Sequence, residues 1–298
     1  MNQPFSLLSI CRKGLVLIIR HPALWLLGIL FTIPEQFLEQ TVFSKDPETI
    51  QTWINTSSTS VVVRESLLVL ILGIGSLFLG IVGRAGIIIL TNSLATSESI
   101  PQISLRKRIY RSVFRIAAIE ILFLATLAIF GLIVMIPSII ANMRNASELS
   151  DLLALAGTGL FLSMTVLALF LRQFAMLYTA LSNISVRMAL ENGYRLFRQH
   201  IRTSFLLGMV GIFVYVAAEL LLDTLSEKAG PYFANTNSFL GILWILSIAL
   251  FSLTATWLWT TWTLLFRAIA LPKEPESVRQ SEENVVQKDA VPSLDNAS

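Results

Sequence analysis

Residues 66–93 read SLLVLILGIGSLFLGIVGRAGIIILTNS and contain a single charged side chain, Arg84. A transmembrane helix needs about 20 predominantly apolar residues to cross a hydrocarbon core about 30 Å thick. This run is longer, so it predicts a membrane-spanning helix that tilts or extends past the core. Five further runs have the same character and predict spans at residues 22–38, 115–141, 152–181, 201–224 and 238–270.

The composition of the whole chain is also that of a membrane protein. Hydrophobic residues make up 54% of its 298 residues and charged residues only 14%, against about 25% charged residues in soluble proteins. Transmembrane barrels have alternating segments of about ten residues, and no such segment is visible in the sequence. The sequence therefore predicts an all-α membrane bundle of six transmembrane helices.

Lysine and arginine are distributed unevenly between the predicted loops. The loops at 39–65, 142–151 and 223–238 together hold only four of the 22 basic residues, and the other 18 lie in the remaining segments. The four are Lys45, Arg64, Arg144 and Lys228. Loops rich in lysine and arginine face the cytoplasm. We therefore expect a multi-pass protein of the inner or plasma membrane with both termini in the cytoplasm, as an even number of spans also requires.

Three basic amphipathic segments precede the first, third and fifth predicted spans: Ser6–Arg20, Leu105–Ala117 and Val186–Arg202. At helical spacing the basic side chains form a stripe beside an apolar arc. Helices of this kind lie in the headgroup plane, with the apolar face toward acyl chains and the basic residues among anionic lipids. The predicted headgroup contacts are Arg12, Lys13, Lys107, Arg108, Arg111, Arg115, Arg187, Arg195, Arg198 and Arg202. The simpler interpretation is that these charges only set the topology.

Each amphipathic segment opens one of three similar units, at about residues 4–94, 103–181 and 184–271. The first and third units share a serine, a glycine and a histidine at identical spacing: Ser6, Gly14 and His21 against Ser185, Gly193 and His200. The middle unit has Ser104 and Ser112 at the first two of these positions and no histidine. We expect a three-fold internal repeat within a membrane domain of residues 1–271. Residues 272–298 are polar with mixed charge and predict a disordered cytoplasmic tail.

Several motifs carry a resemblance to a known family. An amphipathic turn runs from Met188 through Tyr194–Arg198 into Leu206–Gly208, and the chain also contains Pro22–Trp25 and Gly83–Gly86. With these motifs most of residues 4–270 resembles the membrane domain found beside glycerophosphoryl diester phosphodiesterases in prokaryotic polytopic proteins. The resemblance implies a membrane fold in a lipid-adjacent setting and no activity, because that domain has no assigned catalytic residues. We expect no phosphodiesterase barrel here, because only about 27 residues follow Leu271.

The second span of each unit has one arginine, either within the span or at its end: Arg84, Arg172 and Arg267. A charge at the centre of a transmembrane helix costs about 2.5–3.5 kcal/mol on insertion scales. Arg267 lies close to the predicted inner boundary, where its side chain reaches water more easily than the other two. Glu120 is the only acid at a depth comparable to Arg84 and Arg172, so we predict that it pairs with one of them. The alternative role for these charges is a substrate or proton pathway.

No motif for catalysis, cofactor binding or metal binding is present. With two histidines and one cysteine, the chain has no HExxH and no GxxxxGK[ST] sequence. We expect no cofactor, no metal and no nucleic acid, and we expect membrane lipids and an unidentified protein as partners.

Two main interpretations of function stay open, and a membrane enzyme ranks third. The first is a non-enzymatic membrane module that organises lipid or a partner through the basic helices. The second is a transporter for a small or lipidic solute that uses Arg84, Arg172 and Glu120. A water-lined cavity that reaches these charges would favour transport, whereas a dry and fully paired cluster would favour the module.

Overall fold

The computed structural model describes residues 6–38, 59–96, 102–144, 146–182, 184–233 and 237–270. Within these ranges the chain is all-helical and has no strand. The eight helices are α1 (Leu7–Arg20), α2 (Pro22–Leu38), α3 (Thr59–Thr96), α4 (Gln102–Met143), α5 (Ser147–Leu181), α6 (Val186–Gln199), α7 (Ile201–Phe233) and α8 (Asn237–Ala270). The predicted tail at 272–298 and most of the predicted loop at 39–65 lie outside the described residues.

Five of these helices are long and apolar enough to cross a membrane: α3, α4, α5, α7 and α8. A sixth span is possible if α1 and α2 count as one bent pair, and the angle between them is 95°. The helices carry many exposed large apolar side chains, among them Leu67, Ile71, Ile133 and Leu160. Apolar surface of this extent marks contact with a membrane or with another protein. This is the architecture of a multi-pass membrane protein.

The bend between α1 and α2 follows from the sequence His21-Pro22. A residue that precedes proline is disfavoured in the α conformation, and His21 leaves it at φ −125° and ψ 87°. The His21 N–H donates to the carbonyl oxygens of Leu17 and Ile18 at 3.0 and 3.3 Å, which closes α1, and Pro22 then opens α2. A second break lies at His200, whose N–H donates to the oxygens of Leu196 and Phe197.

The middle amphipathic segment has no such break. The prediction of a separate interfacial helix at Leu105–Ala117 is wrong, because α4 runs from Gln102 to Met143 as one helix. No glycine or proline interrupts the sequence between Leu105 and Phe130, so nothing ends the helix there. Its 42 residues extend about 63 Å at 1.5 Å per residue, twice the hydrocarbon thickness. The basic residues of this segment therefore stand on the first turns of one long helix.

The core lies where α3, α5 and α8 meet. One buried cluster includes Ala85–Ile88 of α3, Phe174–Leu177 of α5 and Leu265–Phe266 of α8. Close approach of α2 to this centre depends on glycine. A side chain at Gly28 would overlap Thr256 Oγ1 and come within 2.9 Å of the Ser252 carbonyl oxygen.

The two separate amphipathic helices, α1 and α6, each pack one face on the protein and leave the other face exposed. Gly14 of α1 lies against Thr261 of α8, and Gly193 of α6 lies against Ala175 of α5. The ring of Phe197 on α6 stacks on Phe170 of α5 with 5.6 Å between centroids. The apolar arc of α6 was expected to face acyl chains, and at Leu196 and Phe197 this is wrong, because both are buried in the protein core.

Candidate functional site

Glu120 lies on the buried stripe of α4, one turn after Ile116 and two turns after Val113, both of which are in the core. This spacing of three to four residues is that of a single helix face. The carboxylate is only 2% exposed. A carboxylate at a core position is costly unless charged partners and hydrogen bonds surround it.

Arg84 of α3 and Arg172 of α5 both reach Glu120. Arg172 donates from Nε to Oε2 at 2.7 Å and from Nη2 to Oε1, and Arg84 donates from Nη1 to Oε1. The contact from Arg172 is the bidentate kind that a planar guanidinium makes with a carboxylate. The structure thus brings together all three charges of the predicted cluster, one more partner than the pair that the sequence predicted.

Aromatic rings cover the two guanidinium groups. Arg84 Cζ lies 4.8 Å from the ring centroid of Phe31 and 5.9 Å from that of Trp259. Arg172 Cζ lies 5.0 Å from the centroid of Phe123. Cations over aromatic faces gain about 0.5–2 kcal/mol each, and more when water is excluded. Sequence reasoning missed these rings, although Phe123 lies one turn after Glu120 on α4.

Exposure of the two arginines is also low, at 15% for Arg84 and 16% for Arg172. Five helices contribute to the three charges and the rings that cover them, since Phe31 comes from α2 and Trp259 from α8. We use "charge cluster" for Arg84, Glu120 and Arg172 only. Its chemistry is that of a closed ion network, with both carboxylate oxygens engaged by guanidinium donors.

Arg267 does not join the charge cluster. Its Nη1 donates to the side-chain oxygen of Asn92 at 2.7 Å and to the Asn92 carbonyl oxygen at 3.1 Å. This contact ties the end of α8 to the end of α3.

Five of the ten predicted headgroup contacts line two cavities. The first cavity, of about 640 Å³, lies between α1 and the ends of α3 and α8, and its basic residues are Arg12, Lys13 and Arg267. The second, of about 450 Å³, lies between the start of α4 and the ends of α3 and α5. Its basic residues are Lys107, Arg108 and Arg111. Neither of these two cavities is lined by a residue of the charge cluster.

The other predicted headgroup contacts lie elsewhere. Arg115 is half-buried on α4, and the four arginines of the third segment are exposed and line neither of the two cavities: Arg187, Arg195, Arg198 and Arg202. Arg187 Nε donates to Glu191 Oε1 at 3.0 Å, one helical turn away. The Arg187 side chain is 89% exposed, so this pair contributes little to stability.

Metal-ligating side chains and the Cys11 thiol make weaker candidates for a functional site. Among the described residues no group of three or more histidine, cysteine, aspartate or glutamate side chains is placed to hold a metal ion. Cys11 on α1 is half-buried, and desolvation raises the pKa of its thiol, opposed by a hydrogen bond with the backbone. A raised thiol pKa lowers the thiolate fraction at neutral pH and slows alkylation.

Comparison with known proteins adds no functional assignment. No family model, curated protein or solved structure matches the chain. The resemblance to the phosphodiesterase-associated membrane domain therefore stays a prediction.

Proposed function

We propose that the chain is a six-span protein of the inner or plasma membrane, with α1 and α6 at the membrane surface, that acts as a non-enzymatic module. It organises anionic lipid or a partner protein through its basic segments. The observation that carries this proposal is the closed charge cluster. Glu120 is almost fully buried, both its oxygens accept from guanidinium groups, and three aromatic rings cover the arginines. A solute pathway needs charges that water and solute can reach, so this geometry favours the module over the transporter.

The placement of the basic residues supports a cytoplasmic location for both termini. The first cavity includes Ala95 near the end of α3, and the second includes Leu181 at the end of α5. The carboxyl ends of α3, α5 and α8 thus lie beside the basic segments at one end of the bundle. Since basic segments stay in the cytoplasm, that end of the bundle is the inner one in our proposal.

The packing of the first and third units supports the proposed three-fold repeat. In the first and third units the glycine of the amphipathic helix packs on the second span of another unit, which is the third unit for Gly14 and the second unit for Gly193. Gly14 contacts α8 and Gly193 contacts α5. Leu26-Leu27-Gly28 and Leu206-Leu207-Gly208 are a second pair of matching sequences in these units. Their glycines do the same, since Gly28 lies against Thr256 of α8 and Gly208 against Phe170 of α5.

The middle unit follows the same order, because α4 packs against α3 and the start of α4 lines a cavity together with the end of α3. The units therefore follow one another in a ring, with their second spans at the centre. The resemblance to the phosphodiesterase-associated membrane domain belongs to this proposal as well, as a likeness of fold and of lipid-adjacent setting. It assigns no residue of this chain to a reaction.

Thermal unfolding in the presence of lipid tests the proposed role. The purified protein in a neutral detergent would be mixed with equal amounts of phosphatidylglycerol or phosphatidylcholine. A ligand that binds only the folded state raises Tm, so we expect a higher Tm with phosphatidylglycerol. The difference should shrink as salt is added, because charge attraction at exposed groups is screened. Equal Tm values with both lipids at low salt would contradict the proposed role.

A further inference from the structure

The two basic cavities have the same construction. Each is bounded by a basic helix segment, by the end of the second span on which that segment packs, and by the end of a further second span. The residues that the second spans contribute to the two cavity walls also match in spacing. Leu264 and Arg267 of α8 line the first cavity, and Ile89 and Asn92 of α3 line the second, so each pair lies three residues apart on its helix.

One hydrogen bond links a residue that lines the first cavity to a residue that lines the second. Arg267, which lines the first, donates to Asn92, which lines the second. This contact fixes the position of Arg267 at the wall of the first cavity. Because it joins α8 to α3, it also holds together the two helix ends that form the walls.

Both cavities are suited to an anion with several oxygen atoms. Among the described residues that line them, each has three basic side chains and one serine, Ser9 or Ser112, and neither has an aspartate or glutamate. Arginine presents a planar set of donors that matches phosphate, and lysine adds a point charge. Apolar residues complete each wall, such as Val16 in the first cavity and Ile89 in the second, so the ligand has an apolar part beside its charge.

The third unit lacks the corresponding residues. The seventh residue after the shared serine is Lys13 in the first unit and Arg111 in the second, but Asn192 in the third. The arginines of the third segment lie instead on its exposed side. The protein therefore offers a matched internal contrast between basic residues that line a cavity and basic residues on an open helix face.

We propose that each of the two cavities binds the phosphate group of one anionic molecule, so that the protein carries two discrete phosphate sites. The inference rests on the proposed lipid-associated function and deepens it, since it replaces a diffuse attraction by two sites of defined residues. A phosphate group reaches such a site either as the headgroup of a glycerophospholipid or as free phosphate. Arg12, Lys13 and Arg267 hold it in the first cavity, and Lys107, Arg108 and Arg111 hold it in the second.

Binding stoichiometry tests the inference on the full-length protein. The protein would be stripped of lipid in neutral detergent, titrated with phosphatidylglycerol and examined by native mass spectrometry. The first variant carries R12Q and K13Q, the second carries K107Q and R111Q, and the control carries R195Q and R198Q. Each removes two positive charges from exposed positions, and circular dichroism would check that each is folded.

We expect two tightly bound lipids on the unchanged protein and on the control, and one on each cavity variant. A basic residue near an anionic lipid contributes about 1 kcal/mol, so two lost charges weaken the affected site about 30-fold. Equal weakening in the control and in the cavity variants would overturn the two-site inference and leave the general lipid role intact. No preference for phosphatidylglycerol over phosphatidylcholine in any protein would overturn both.

A competition arm identifies the source of the phosphate. Inorganic phosphate and glycerol phosphate would be added at millimolar concentration to the lipid-loaded protein. Displacement of both lipids would support two sites that take the phosphate group alone. Retention of two lipids would support two sites that need the acyl chains as well. Displacement from the control but not from the cavity variants would contradict the assignment of these residues.

Discussion

Arg172 binds Glu120 through both carboxylate oxygens, with Nε 2.7 Å from Oε2 and Nη2 on Oε1. Arg84 Nη1 also donates to Oε1. One acid thus joins three consecutive helices, α3, α4 and α5. Removing either arginine leaves an ion pair, whereas removing the acid leaves two cations facing each other.

Substitution of Glu120 should therefore cost more than substitution of either partner. Breaking a buried ion pair from one side costs about 3–5 kcal/mol. We expect E120A to lower Tm in detergent the most, and R84A to lower it less because the bidentate pair with Arg172 persists. Adding R84A or R172A to E120A should recover part of the loss. Thermal unfolding of the purified variants measures this, and strictly additive losses in both double variants would mean that the three charges are not coupled.

Close packing at Gly28 gives a second prediction. In G28A the added methyl group would overlap Thr256 Oγ1 and crowd the Ser252 carbonyl oxygen of α8. Overpacking of this kind costs about 1–3 kcal/mol. The matched control is G73A on α3, where nothing lies within 4 Å of the added methyl group, and where alanine favours the helix by up to about 1 kcal/mol. We expect a lower Tm for G28A and an unchanged or higher Tm for G73A, and a reversed order would contradict the packing of α2 on α8.

The orientation of the chain in the membrane is the third prediction. In a background with C11S, single cysteines would be placed by S57C, S226C, S99C and S281C. Four basic residues in the outer loops against 18 elsewhere place residues 57 and 226 outside and residues 99 and 281 inside. A membrane-impermeant thiol reagent should label the first two in intact cells and the last two only after permeabilisation. Labelling of residue 281 in intact cells would remove the proposal that both termini are cytoplasmic.

Part of this structure follows from the sequence and part does not. The apolar runs locate the long helices because hydropathy and length are local properties. Glu120 stands out because it is the only acid at its depth, which makes arginine partners necessary on energetic grounds. The sharing of Glu120 between two arginines does not follow from the sequence. It depends on how α3, α4 and α5 pack, and helices in lipid pack through shape rather than through a hydropathy pattern.

The arrangement of the basic segments also follows only in part from the sequence. Their charge and periodicity are visible in the sequence, and the third segment has the clearest pattern. The structure nevertheless places the arginines of that segment on an open face and forms cavities at the first two segments. Periodicity describes one helix at a time, whereas a cavity needs walls from other helices. The continuity of α4 through Leu105–Ala117 was missed for a related reason, because an amphipathic stretch and a span can share one unbroken helix.

Water access to the charge cluster tests the central claim most directly. In the C11S background, F123C places a thiol where a ring covers Arg172, and A117C places one a turn before Glu120 with every ring kept. A charged, water-soluble thiol reagent would be applied to both sides of the membrane, with S226C at an exposed position near the end of α7 as the reactive control. The closed cluster predicts modification of S226C alone. Modification of both F123C and A117C from either side would reveal a water-filled path to Glu120 and would contradict the membrane module in favour of a transporter.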